Sequence, residues 1–395
     1  MESNDILRIT KRQDLDVLKN TTCIANKKVI VDLKPEEIFK SSDFRNILEN
    51  PFVEHFNYSG DGPYKTIDEI LYIKHKLIRC PVGKTGAVII PEGTEEIMNY
   101  AFSGCNISSV KFPESLREVK DYAFSFCRSL EHVDFGNGIT NGKISNMMFY
   151  RCAKLKEVTI PSQITYIGEY AFAGCGLNKV NLPEEIKKIS DGAFFGCQHL
   201  KEIKLPNSLF EAEYDNAITD IGLYCINKIT VPKLTDEVLR TGIIQDVFDT
   251  SDYCKIELVE IVTPNDTFYL SKYATKAQLL SLTSDKVQSP DFLDYEYSFT
   301  TYAGDYATVK RYLYLVQNGR AVSPKVKERI KENWKNIIQL LLNKNDQKTI
   351  VDLMETDIAT ADNIEYVWQV ADDVALKAYA LKALAKKTKK GFLNV

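Results

Sequence analysis

No charge of one sign dominates this 395-residue sequence: 50 lysines and arginines face 54 aspartates and glutamates, a net charge of −4. Without a basic field to draw in phosphate backbones, nucleic acid is not an expected partner. Long apolar runs are missing as well. The longest are stubs such as Val88-Ile89-Ile90, far below the roughly 18 residues a membrane span needs. The opening Met1-Glu2-Ser3-Asn4-Asp5 carries acid where an export signal carries lysine or arginine, and no apolar stretch follows. The expectation is a cytoplasmic protein, or a cell-surface one if the N-terminus has been trimmed. Histidine is scarce, at His55, His75, His132 and His199, and none lies beside a nucleophile elbow such as G-x-S-x-G. No Cys-x-x-Cys pair or zinc-finger Cys/His spacing occurs among the nine cysteines, so structural zinc is not expected. Gly83-Lys84-Thr85 lacks the glycine a phosphate loop needs at position 78, where Ile78 stands, and reads as a tight turn between strands. The acids are matched by lysines, and no carboxylate pair stands out. No catalytic residue, cofactor, metal or small-molecule substrate is therefore assigned.

What the sequence has is a repeat. Tyr100-Ala101-Phe102-Ser103-Gly104-Cys105 recurs as Tyr122-Ala123-Phe124-Ser125-Phe126-Cys127, Met147-Met148-Phe149-Tyr150-Arg151-Cys152, Tyr170-Ala171-Phe172-Ala173-Gly174-Cys175 and Gly192-Ala193-Phe194-Phe195-Gly196-Cys197. The phenylalanines lie 22, 25, 23 and 22 residues apart, each with a cysteine three residues later. A second register keeps step: Ile90-Pro91, Phe112-Pro113, Ile160-Pro161, Leu182-Pro183 and Leu205-Pro206, with Phe135-Gly136 standing in once. Within one copy, the alternation in Lys156-Glu157-Val158-Thr159-Ile160 predicts a strand with Val158 and Ile160 inward. The proline ends it, having no N–H for the ladder. An apolar position recurs six residues later, at Ile97, Val119, Ile167 and Ile189. One copy alone buries little, so copies must stack and fuse their apolar positions into ladders.

The period and the I-P-E-G-T-E-E-I-M-N-Y-A-F-S-G-C string at 90–105 resemble the BspA-like leucine-rich repeats, over about residues 25–235. Ile67 to Tyr72 with Lys76 to Lys84 is similar to that family's hairpin variant, and Phe44 and Phe52-Val53 read as an earlier copy. The resemblance implies a solenoid of about seven or eight units, short parallel strands joined by turns. Past Cys197 the pattern fades: Lys228 to Pro232 is a last strand, and Leu223 replaces the turn phenylalanine. Such a family is defined by its scaffold, so the resemblance speaks for fold before function.

Four divisions follow: an N-terminal segment 1–24, the array 25–235, a junction 236–300 that caps the last rung, and an α-helical domain 301–395. In the last, Gly304-Asp305 starts one helix that ends at Asn318-Gly319, and Ser323-Pro324 caps the next, running to Leu342. Segments 348–354, 363–370 and 374–385 complete what reads as helical hairpins, with a distant likeness to ankyrin-type repeats.

Cys105, Cys127, Cys152, Cys175 and Cys197 share one rung position and read as small buried hydrophobes in the reduced state. The outward strand positions form the candidate binding strip: Ser109 and Lys111, His132 and Asp134, Glu157 and Thr159, Lys179 and Asn181, Glu202 and Lys204, Lys228 and Thr230. The strip is mixed in charge and has no aromatic residue, which disfavours sugar stacking and single-stranded nucleic acid. A merely solvated face is the competing reading. The function expected is a non-catalytic scaffold for a protein partner. The alternative is a bacterial cell-surface adhesin or host-interaction protein, and a third is an enzyme with its site in 236–395.

Overall fold

A computed structural model describes residues 6–19, 28–33, 53–58, 64–211, 221–233, 247, 258–271 and 302–392. They fall into two compact units, the first reaching Ile226 and taking in Val247, the second beginning at Asn227. The second unit thus claims Lys228–Thr230, a strand the sequence assigned to the end of the array. The expected capping of the array by 236–300 falls largely outside the described residues.

The first unit is a solenoid whose turns follow the sequence period. One row of parallel strands carries Thr85–Ile89, Asn106–Lys111 and His132–Asp134, with Ser109 opposite His132 and Ala87 opposite Ser109. Glu157–Thr159 pairs with Lys179–Asn181 in the same fashion. A second row consists of two-residue strands, Glu96–Ile97, Glu118–Val119, Lys143–Ile144, Tyr166–Ile167 and Lys188–Ile189. Their second residue is the recurrent apolar position, now with Ile144 added, and each is buried. Parallel stacking also reaches further toward the N-terminus than expected. Ile6–Ile9 pairs with Lys28–Leu33, and that strand with Val53–Tyr58, at sequence offsets of 22 to 25. Ile6–Ile9 therefore shows the same parallel stacking at the sequence period. The hairpin variant is present as Tyr64–Ile67, Ile70–Ile73 and Lys76–Arg79, antiparallel to one another, with the last parallel to Glu96–Ile97. A short helix, α1 (Ser208–Glu211), follows the last long-row strand of this unit.

Two interior columns hold the turns of the solenoid together. Phe102, Phe124, Phe149, Phe172 and Phe194 are fully buried and stack face to face, with successive centroids 4.7, 5.5, 5.3 and 5.8 Å apart. Beside them the cysteine column is buried and free of disulfides from Cys80 to Cys197. From Cys127 onward each thiol donates to the phenylalanine carbonyl one turn back: Cys127 to Phe102 at 3.0 Å, Cys152 to Phe124 at 3.2 Å, Cys175 to Phe149 at 3.0 Å and Cys197 to Phe172 at 3.2 Å, while Cys105 donates to the Cys80 carbonyl at 3.4 Å. Burial pushes the thiols of Cys80, Cys127, Cys152 and Cys197 well above the usual range. At the hairpin end, where no full turn precedes Tyr100, the buried Arg79 guanidinium donates to the Tyr100 and Ser103 carbonyls. A side chain there supplies N–H groups that a preceding backbone turn supplies elsewhere, as from Tyr100, Phe102 and Gly104 to the next turn.

In the second unit, Lys228–Thr230 lies parallel to Leu258–Val262, which forms an antiparallel hairpin with Thr267–Ser271. Among the described residues six helices follow: α2 (Tyr302–Gln317), α3 (Pro324–Glu332), α4 (Trp334–Asn343), α5 (Gln347–Met354), α6 (Ala361–Val370) and α7 (Val374–Phe392). The single helix expected from Pro324 to Leu342 is broken at Asn333, whose side chain donates to Arg329 O at 3.0 Å. The break lets Trp334 bury its indole and donate to Asn363 O at 3.0 Å. Residues 258–271 and the helices are one body rather than a junction and a separate stack. Arg311 of α2, 4% exposed, grips the Asp266 carboxylate in the hairpin turn and lies 4.6 Å over the Phe268 ring.

Candidate interaction surfaces

The long strand row puts its alternate side chains outward because the strand period is two and the inward positions are taken by Val110, Val133, Val158, Val180 and Ile203. The structure brings nine of the ten candidate residues onto this one strip: Lys111, His132, Asp134, Glu157, Thr159, Lys179, Asn181, Glu202 and Lys204. The tenth, Lys228, belongs to the second unit, 3.8 Å from Glu260. The strip neutralises itself across turns. Lys111 pairs with Asp134 at 3.6 Å, Lys179 with Glu157 at 2.8 Å, and Lys204 with Glu184 at 3.2 Å. Asn181 donates to Thr159 Oγ1 at 3.0 Å. The Lys179 contact holds the Glu157 carboxyl below its ordinary range. Such exposed pairs stabilise little, and they fix a hydrogen-bonding pattern along a flat face. Ile89, opposite Lys111 in the next strand, is 74% exposed and gives the strip an apolar end.

A second surface lies off the strand row, where the sequence pattern gives no direction to its aromatic side chains. It runs along the turns of the Phe-containing motif. In the first position of that motif Tyr100 and Tyr122 stack with centroids 4.8 Å apart. In the fourth and fifth positions Phe126 and Tyr150 meet edge to face at 5.4 Å, and the Arg151 guanidinium lies 5.8 Å from the Phe126 ring and 5.3 Å from Tyr150. Phe195 packs edge-on against Tyr170 and Tyr224. Tyr100, Phe126 and Phe195 are all exposed. Both motif positions adopt left-handed backbone in every copy: Tyr100, Tyr122, Met147, Tyr170 and Gly192 in the first, Gly104, Phe126, Arg151, Gly174 and Gly196 in the fifth. Gly192 is required by its neighbour, since a Cβ there would stand 2.4 Å from the Tyr170 ring. The aromatic motif letters were visible in the sequence. Their outward direction depends on this backbone conformation, which was not.

The remaining candidates for chemistry are dispersed. All four histidines are exposed; His55 lies 3.4 Å from Glu69, and His75 is 3.0 Å from Gly93 O. Lys84 follows the strand ending at Arg79 in a tight turn and contacts Asp68. Among the described residues no group of three or more His, Cys, Asp or Glu could hold a metal, and no helix is long and apolar enough to cross a membrane.

The family model described as BspA type leucine rich repeat region matches in six copies, over residues 84–185 and 142–275. The match runs beyond residue 235, where the array was expected to end. No curated protein matches the sequence. Among solved structures the chain is similar to a leucine rich cell surface protein from Faecalibacterium prausnitzii, at 27% identity and TM-score 0.38, covering 50% of this chain and 46% of that one. It is also similar to the pneumococcal vaccine antigen PcpA, at 18% identity and TM-score 0.41 over 66% and 56% of the two chains. A leucine rich repeat protein from T. pallidum follows, at 24% identity and TM-score 0.33 over 49% and 96%. The chain spans about half the length of the first two.

Proposed function

We propose, from a chain whose residues 84–275 belong to the BspA-type leucine-rich repeats, that the protein is a non-catalytic scaffold holding a protein partner on the array. The observation that supports this best is the exposed strip from Lys111 to Lys204, whose side chains stand on backbone ladders repeated turn by turn. A surface built on strands presents its groups without the ordering cost that loops carry. The test is the triple variant Glu157→Lys, Lys179→Glu, Lys204→Glu in a pull-down from the source cell. The variant folds as the wild type by circular dichroism and loses the protein the wild type retains. Retention of the same protein by the variant contradicts the strip.

A cell-surface location is the second reading, favoured by one chemical feature. Cys225 is disulfide-bonded, and structural disulfides persist in oxidising compartments. Acid-quenched alkylation of the protein from its source cell separates the locations: a protected Cys225 supports the surface, and a freely alkylated one supports the cytoplasm.

A further inference from the structure

The fifth position of the turn motif is floored by glycine in three copies, Gly104, Gly174 and Gly196, all in left-handed backbone. In the two copies between them the same conformation carries Phe126 and Arg151, at φ 58° and 60°. A bulky residue there is strained in a way that glycine is not. The two side chains form a knob on an otherwise bare column. Nothing lies within 4 Å of a Cβ placed on Gly104, while on the other side the Arg151 stem lies over Gly174, 3.1 Å from where a Cβ would stand. The guanidinium is held against Phe126 and Tyr150 rather than against an acid.

The same spot also carries charge. Some lysines of this unit pair across turns, as in Lys76 with Glu96, Lys154 with Glu131 and Lys179 with Glu157. Arg151, and Arg128 two residues beyond Phe126, have no carboxylate partner among the described residues, and both are exposed. A guanidinium backed by an aromatic ring keeps its fork of N–H groups free for a carboxylate. Arginine and aromatic residues are also those that dominate protein interfaces.

We infer that the Phe126–Arg151 knob, with Tyr150 and Arg128, docks an acidic segment of a protein partner, a carboxylate on Arg151 and an apolar side chain against Phe126. The inference rests on the scaffold reading and names a different contact for it.

The experiment pans a random phage-displayed peptide library on the full-length protein, and measures the selected peptides against Phe126→Gly, Arg151→Gly, Arg128→Ala and the strip variant Glu157→Lys/Lys179→Glu. The expected peptides carry Asp or Glu next to an apolar residue, and each knob variant weakens them roughly tenfold or more. Both glycine variants melt at or above the wild-type temperature, because glycine is unstrained at this φ. A lower melting temperature in both glycine variants makes the knob a structural pair and overturns the inference. So does the absence of an acidic consensus, or selected peptides that the knob variants still hold. Peptides lost from the strip variant alone sink the knob while leaving the scaffold reading standing. Binding of an anionic glycan array in place of any peptide overturns the protein assignment.

Discussion

At the cysteine position, one residue type does two jobs. Its side chain is small and apolar enough for a closed rung, and its S–H satisfies a buried carbonyl supplied by the previous turn, as Cys152 does for Phe124 at 3.2 Å. The burial was legible from the recurring motif. The donor role was not, because the acceptor lies some 25 residues away in sequence and meets the thiol only after stacking. The same applies to Arg79, whose acceptors are carbonyls of the next turn. Intact protein is expected to leave Cys105, Cys127, Cys152, Cys175 and Cys197 unlabelled by a thiol reagent until it is denatured, since all five are buried out of the reagent's reach. Replacing Cys152 by Ala is expected to cost about 1 kcal/mol in chemical denaturation. Rapid labelling of the native protein contradicts the buried column.

Scaled up to elements, the phenylalanine column is a ladder in which every inner ring has two neighbours. Phe149→Ala is expected to cost roughly 3–5 kcal/mol, and Phe102→Ala, at the end of the stack, less. Equal losses at both positions in thermal melts contradict stacking as the source. In the second unit the decisive link is between hairpin and helix. Burial works against the Asp266 carboxylate, yet the Arg311 fork, with Arg320, holds it below the ordinary range. Asp346 is likewise held low, with Lys310, Thr349 and Tyr306 overcoming burial, and Lys327 does the same for Asp357. A carboxyl lowered in the folded state adds stability above its unfolded value of about 3.9, and that stability is lost as pH falls through the folded value. The unit is therefore expected to weaken below about pH 4. Both tryptophans, Trp334 and Trp368, sit in its helices, so fluorescence reports its unfolding. The denaturation midpoint should fall on going from neutral to acidic buffer, and Asp266→Asn should flatten the fall; a midpoint indifferent to pH contradicts the linkage. None of this was legible in 236–300, because an Arg–Asp contact spanning 45 residues leaves no local pattern.

For the molecule as a whole, the sequence carried the array because a repeat writes the same packing problem several times over. It carried the boundaries less well. Among the described residues parallel stacking reaches Ile6, and the two units divide after Ile226, where the end copies have lost the motif letters. The strand strip followed from period-two alternation. The turn edge with Phe126 and Arg151 did not, because left-handed backbone outside glycine has no sequence signature. The central claim is that the array surface, and not the helical unit, holds a protein partner. The most direct measurement places a photo-cross-linking residue in the full-length protein at exposed positions Thr159, Phe126 or Leu381, and irradiates the source cells. The account predicts one discrete protein adduct from the array positions, lost when Glu157→Lys/Lys179→Glu/Lys204→Glu or Arg151→Gly is added, and none from Leu381. An adduct formed from Leu381 alone contradicts it, and so does the absence of any protein adduct from the array.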